Sequence, residues 1–124
     1  MNILIVEDEF LIALDLQMQL EQLQHQVVGP AKDFATCRDL VEQHRPDLAF
    51  MDLRLAHGDS GETVAHWLLS EHNIRCVFMS ANLDEVTQDR LRSLNPIAML
   101  GKPTLPHLVA DALDAFSDED TTLP

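Results

Sequence analysis

Positive charge is scarce in this chain. Eight lysines and arginines stand against 21 aspartates and glutamates, a formal net charge of −13 over 124 residues. The eight, Lys32, Arg38, Arg45, Arg54, Arg75, Arg90, Arg92 and Lys102, are scattered. No basic stripe forms, and nucleic-acid or anionic-membrane binding is disfavoured because phosphates repel such a surface. Only two cysteines occur, Cys37 and Cys76, far apart and outside any CxxC pair, so they read as small buried apolar residues. Long hydrophobic runs are missing too. Ile3-Leu4-Ile5-Val6 stops at Glu7-Asp8-Glu9, too short and too acidic for a signal peptide or a membrane span, and a cytoplasmic location is expected. Internal repeats and linkers are absent. What remains is 46% hydrophobic residues, enough for one core and too many for a disordered acidic chain.

Short apolar runs alternate with amphipathic stretches. Strands are expected at Ile3–Val6, Val27–Val28, Leu48–Met51, Cys76–Met79 and Ile97–Leu100. Gly29-Pro30 is expected to stop the second. Helices are expected over 10–23 with Leu11, Leu14, Met18 and Leu20 among its apolar positions, 33–43 with Asp33 as cap, 62–71, 84–94 and from Leu105 to Phe116. Trp67 and Leu68-Leu69 read as helix-to-sheet packing. Strands too apolar to alternate, separated by helices, imply a doubly wound α/β fold of flavodoxin-like type: a five-stranded parallel sheet with helices on both faces. The domain is expected over 1–117, with a short solvated acidic tail at 118–124 containing Asp118-Glu119-Asp120.

Such sheets carry their sites beyond the C-terminal ends of the strands. Strand one ends at Glu7-Asp8, strand three at Asp52, strand four at Ser80, strand five near Lys102-Pro103. Packed acids repel one another unless a cation neutralises them, and a hard, oxygen-preferring ion such as Mg²⁺ fills that role. Asp52 is placed to attack phosphorus, and Lys102 and Ser80 to stabilise the transferred oxygens. The Lys102-Pro103 bond is a candidate for the cis form.

This pattern resembles the receiver domain of two-component response regulators. The segments that carry it are ILIVEDE at 3–9, RPDLAFMDLRL at 45–55, VFMSA at 77–81 and GKP at 101–103, and the likeness covers residues 2 to about 116. It implies that Asp52 accepts a phosphoryl group from a phosphohistidine on a sensor histidine kinase. It implies Mg²⁺ held by Asp8, Asp52 and the Arg54 carbonyl, with Glu7 assisting. It also implies that Ser80 moves toward the phosphoryl group and Lys102 pairs with it, and that the first helix docks the kinase. Glu9 is expected at the start of that helix, where a carboxylate suits the dipole.

The chain departs from the family pattern in places. Ala56 stands where a proline is usual, and the loop Ala56–Gly61 is one residue longer before its glycine. Ser80 replaces the commoner threonine, and Met99 stands where many receivers carry a switching aromatic. Arg54 and Asn82 flank the site and are expected to tune the lifetime of an acyl phosphate. About eight residues follow the last helix, so output by contact with a downstream protein target or phosphotransfer protein is expected, the chain acting as a monomer or a phosphorylation-dependent dimer. Met99, Arg90, Arg92 and His107 are the candidates for that face. The six histidines show no metal-ligand spacing.

Three alternatives carry specific objections. An aspartyl-nucleophile phosphohydrolase wants a second acid two residues after Asp52, where Arg54 stands. A flavodoxin-like ligand module wants a phosphate-cradling loop after strand one, where three acids stand. A degenerate receiver acting only as an interaction module would not need Glu7, Asp8, Asp52, Ser80 and Lys102 together.

Overall fold

Five strands, β1 (Asn2–Val6), β2 (Gln26–Ala31), β3 (Leu48–Asp52), β4 (Arg75–Ser80) and β5 (Ala98–Gly101), alternate with five α-helices. These are α1 (Phe10–Gln22), α2 (Phe34–His44), α3 (Gly61–His72), α4 (Glu85–Arg92) and α5 (Pro106–Thr121). The computed structural model describes residues 1–121, so the last three residues of the acidic tail lie outside the described part. The sheet is parallel throughout, in the order β2-β1-β3-β4-β5. The order reverses between β1 and β3, and that crevice is where an open α/β sheet binds its ligands.

Strand periodicity sorts the core into two layers. Ile3, Ile5, Leu48, Phe50, Val77 and Met79 face α1 and α5, where Leu16, Leu20, Val109 and Leu113 meet them. Leu4, Val6, Ala49, Met51, Cys76 and Phe78 face the opposite way, against Cys37 and Val41 of α2, Val64 and Leu68 of α3 and Leu91 of α4. Period two places successive side chains on opposite faces, so a strand covered on both must be apolar throughout. Phe50 and Phe78 are fully buried, each worth about 2–3 kcal/mol in area removed from water. Both cysteines are free and buried, as expected, and burial pushes the Cys37 thiol up to about 12.

Three features differ from the sequence-based expectation. In α1 the buried residues are Ala13, Leu16 and Leu20, while Leu11, Leu14 and Met18 are exposed together with Phe10. The helix is apolar at so many positions that 11-14-18 and 13-16-20 both satisfy helical spacing. Second, β2 does not stop at Gly29-Pro30. It passes through them as a bulge: Val28 pairs with Leu4 and Ala31 with Val6, so two residues oppose Ile5 alone. Gly29 takes φ +102°, and a Cβ there would lie 2.8 Å from the Ile5 carbonyl oxygen. Proline is tolerated because β2 is an edge strand. Third, α5 continues to Thr121, carrying Asp118 and Glu119 into the helix, and Arg75 at the start of β4 pairs with Glu119.

Candidate functional site

The acids that follow β1 and end β3 meet at the sheet's C-terminal edge. Glu7 and Asp52 are 2% and 7% exposed, and Asp8 is exposed beside them. One carboxylate oxygen from each of the three lies within 4.8 Å of the others. Lys102, directly after β5, bridges two of them: its Nζ is 2.5 Å from Glu7 Oε1 and 3.1 Å from Asp52 Oδ2. The other Asp52 oxygen, Oδ1, accepts a 2.8 Å hydrogen bond from the Leu53 amide. The main chain ties the strand ends together, the Lys102 amide donating to the Ser80 carbonyl at 2.9 Å. The Lys102–Pro103 peptide bond is cis.

Electrostatics follow from this packing. Burial pushes the Glu7 carboxyl from its ordinary 4.5 up to about 7, and the neighbouring Asp52 adds to the rise while Lys102 opposes it. Burial alone would lower the Lys102 ammonium, but its contacts with Glu7 and Asp52 prevail and hold it above its usual range. Glu7 Oε2 is buried and has no hydrogen-bond partner among the described residues. A buried anionic oxygen without a partner is costly. A hard divalent cation shared with Asp8 and Asp52 supplies what it lacks, so the donor set fits Mg²⁺.

The loop after Asp52 is built to hold this edge in place. Arg54 and Ser60 form an antiparallel bridge, and the Gly61 amide donates to the Leu53 carbonyl at 3.0 Å. Gly61 starts α3 so close to β3 that a Cβ would lie 1.9 Å from the Asp52 carbonyl oxygen. The extra loop residue makes a short 3₁₀ turn over Ala56–Gly58 with His57 at φ +62°, left-handed for a non-glycine residue. That turn reaches α2. His57 Nδ1 is 3.0 Å from Asp33 Oδ2, Asp59 Oδ2 accepts from the Phe34 amide at 2.9 Å, and the Ala56 amide donates to the Lys32 carbonyl. Asp33 also caps α2 through the Thr36 amide at 2.9 Å, as the sequence predicts.

The remaining candidates divide. Ser80 Oγ accepts from the Asn82 amide at 3.1 Å, so the hydroxyl starts the loop to α4. Asp52, Ser80, Lys102, Arg54 and Arg90 all line one cavity of about 850 Å³, together with the first turns of α1. Glu9 stands at the start of α1, as expected, and shares that wall. Arg90, expected on the partner-facing surface, is half-exposed and forks onto Glu62 of α3. Met99 is half-buried against the α2–α4 side of the core, Arg92 pairs with Asp89 at the surface, and His107 is exposed in the first turn of α5. Sequence reasoning missed Glu62, Asp59 and the second role of Asp33. An acid at a helix start gives the same signal whether it serves the dipole or a distant partner.

The model of the response regulator receiver domain matches residues 3–114. The chain belongs to the receiver domain family of response regulators. Receiver domains of this kind are the response elements of two-component systems. This receiver is 34% identical over 102 residues to the transcriptional regulatory protein PdtaR of Mycobacterium tuberculosis, covering 82% of this chain and 49% of that one. It is 35% identical to the phyllosphere-induced regulator PhyR of Methylorubrum extorquens, covering 85% and 39%. The receiver thus spans about half or less of these relatives' length. Among solved structures it is similar to the signal receiver domain of a modulated diguanylate cyclase from Desulfovibrio desulfuricans, with TM-score 0.86, 28% identity and 98% coverage of both chains. No described helix is long and apolar enough to cross a membrane.

Proposed function

We propose that this receiver takes a phosphoryl group onto Asp52 from the phosphohistidine of a sensor histidine kinase and signals by phosphorylation-dependent contact with another protein. The observation that carries the reading is the convergence of Glu7, Asp8 and Asp52 on one strand edge with the Lys102 ammonium between two of them. An Asp52 carboxylate oxygen attacks phosphorus, the P–N bond breaks, and the imidazole leaves with the bonding electrons, giving an acyl phosphate. Lys102 then turns from the Asp52 carboxylate to the phosphoryl oxygens, and Ser80 donates its hydroxyl hydrogen to another. Glu7, Asp8, Asp52 and the Arg54 carbonyl would hold Mg²⁺, which when bound offsets the negative charge that builds on the phosphoryl oxygens. The chain promotes only its own phosphorylation and dephosphorylation and works in the cytoplasm.

The similar PhyR structure from Bartonella quintana is described as an anti-anti-sigma factor, so a protein target is the kind of output the reading favours. The test is intact-mass measurement after incubation with Mg²⁺ and acetyl phosphate. One added phosphoryl group is expected, and none in Asp52→Asn. Absence of an adduct in the unaltered chain would refute the proposal.

A further inference from the structure

Arg90, in the last turn of α4, places a guanidinium fork on Glu62 in the first turn of α3. Nη2 donates to Oε1 at 2.8 Å, and Nε lies 3.2 and 3.3 Å from the two carboxylate oxygens. Neither helix depends on this pair for its packing. Leu91 and Thr87 bury α4, and Val64, Ala65 and Leu68 bury α3. The pair is partly exposed, a setting in which ion pairs add little stability. It sits instead in the wall of the cavity that contains Asp52, Ser80 and Lys102.

The charge balance of that cavity gives the pair a purpose. Lys102 is already shared between two buried carboxylates, Glu7 and Asp52. Converting Asp52 to an acyl phosphate replaces one negative charge with about two and adds strong acceptor oxygens. The wall offers two other cations, Arg54 and Arg90. Among the described residues Arg54 has no ion pair to give up, whereas Arg90 is held by a single carboxylate. A planar guanidinium that grips a carboxylate with two donors suits phosphoryl oxygens equally well. Leu91 beside it is fully buried and holds the last turn of α4 against the core, so it is the long Arg90 side chain that is free to swing while the turn stays in place.

We propose that Arg90 is a second cationic ligand of the phosphoryl group, parked on Glu62 until Asp52 is modified. The inference rests on the reading of Asp52 as the acceptor. On phosphorylation the Arg90 side chain leaves Glu62 for the phosphoryl oxygens, and Glu62 is left without its partner. Arg90 is then both a ligand and the link between the site and the α4 surface.

The test titrates beryllofluoride, a phosphoryl mimic, in saturating Mg²⁺ and follows bound fluoride by ¹⁹F NMR. Arg90→Gln should weaken half-saturation about tenfold, the effect of one charge-assisted hydrogen bond. Glu62→Gln frees the guanidinium and should tighten it severalfold. The double variant should resemble Arg90→Gln, and Arg90→Lys should recover part of the loss. If the pair were only a brace between α3 and α4, both single variants would shift binding the same way, and that result overturns the proposal. So does an Arg90→Gln value within about twofold of the unaltered chain. In the unaltered chain the Arg90 Nε–H resonance should move on adding beryllofluoride and stay in place with Mg²⁺ alone; a resonance that ignores the mimic also overturns it. An unaltered chain that binds no mimic and takes no phosphoryl group from acetyl phosphate brings down the acceptor reading itself. Normal uptake with no Arg90 effect brings down this inference alone.

Discussion

Replacing Glu7 with glutamine removes one negative charge from the buried cluster while keeping the side chain's shape and an oxygen that can accept from Lys102. In the metal-free protein this should stabilise the fold, and the gain should depend on pH. The Glu7 carboxyl lies at about 7 in the folded chain against an ordinary 4.5. A folded-state value above the unfolded one means that the folded chain holds the proton more tightly. The Glu7 contribution is therefore at its most favourable below about 4.5 and is lost as pH rises through 7. The rise corresponds to about 3 kcal/mol at pH 8, where Glu7 is charged in both states, and to less than about 1 kcal/mol at pH 5. Urea unfolding in EDTA at the two pH values reads this directly. The Glu7→Gln midpoint should exceed that of the unaltered chain by about 1–2 M at pH 8 and by little at pH 5. Adding Mg²⁺ should shrink or reverse the pH 8 difference, because the ion neutralises the charge that glutamine removes. Equal gains at both pH values, or a loss at pH 8, would refute the charge argument.

Other parts of the site make separate predictions. Gly61→Ala forces a Cβ to within 1.9 Å of the Asp52 carbonyl oxygen, so α3 must move away from β3; denaturant unfolding should show a loss of about 2 kcal/mol or more, together with slower phosphorylation. Asp33→Asn weakens the tie to His57 while leaving an oxygen for the Thr36 amide. The Asp33 carboxyl lies below its usual range, chiefly because of the Thr36 amide, so its contribution is full above about pH 4 and is lost as pH falls through the depressed value. The acid limb of the unfolding curve should accordingly become shallower in the Asn variant, and unchanged steepness would count against a stabilising role for the Asp33 charge.

The sequence made the strand ends legible because period and apolarity together identify buried parallel strands, and parallel strands bring their final residues to one edge. That is how Glu7, Asp8, Asp52, Ser80 and Lys102 could be grouped before any coordinates. The side of α1 that faces the sheet was not legible. Leu11, Leu14 and Met18 satisfy the same spacing as Ala13, Leu16 and Leu20, and only the sheet's position decides between them. Gly29-Pro30 read as a stop because a bulge and a turn use the same residues; the structure makes it a bulge opposite Ile5. Arg90 and Glu62 lie 28 residues apart, and nothing local in either helix signals a partner on the other. The likeness to receivers supplied roles for the strand-end residues, but not these contacts particular to the chain.

Asp52 as the phosphoryl acceptor is the central claim, and chemical mapping tests it most directly. After phosphorylation with acetyl phosphate and Mg²⁺, borohydride reduces an acyl phosphate to the alcohol, turning a phosphorylated aspartate into homoserine while free carboxylates survive. Peptide mass spectrometry should then find homoserine at position 52 and nowhere else. Homoserine at Asp8 or another acid, or none despite an added phosphoryl mass, would contradict the account.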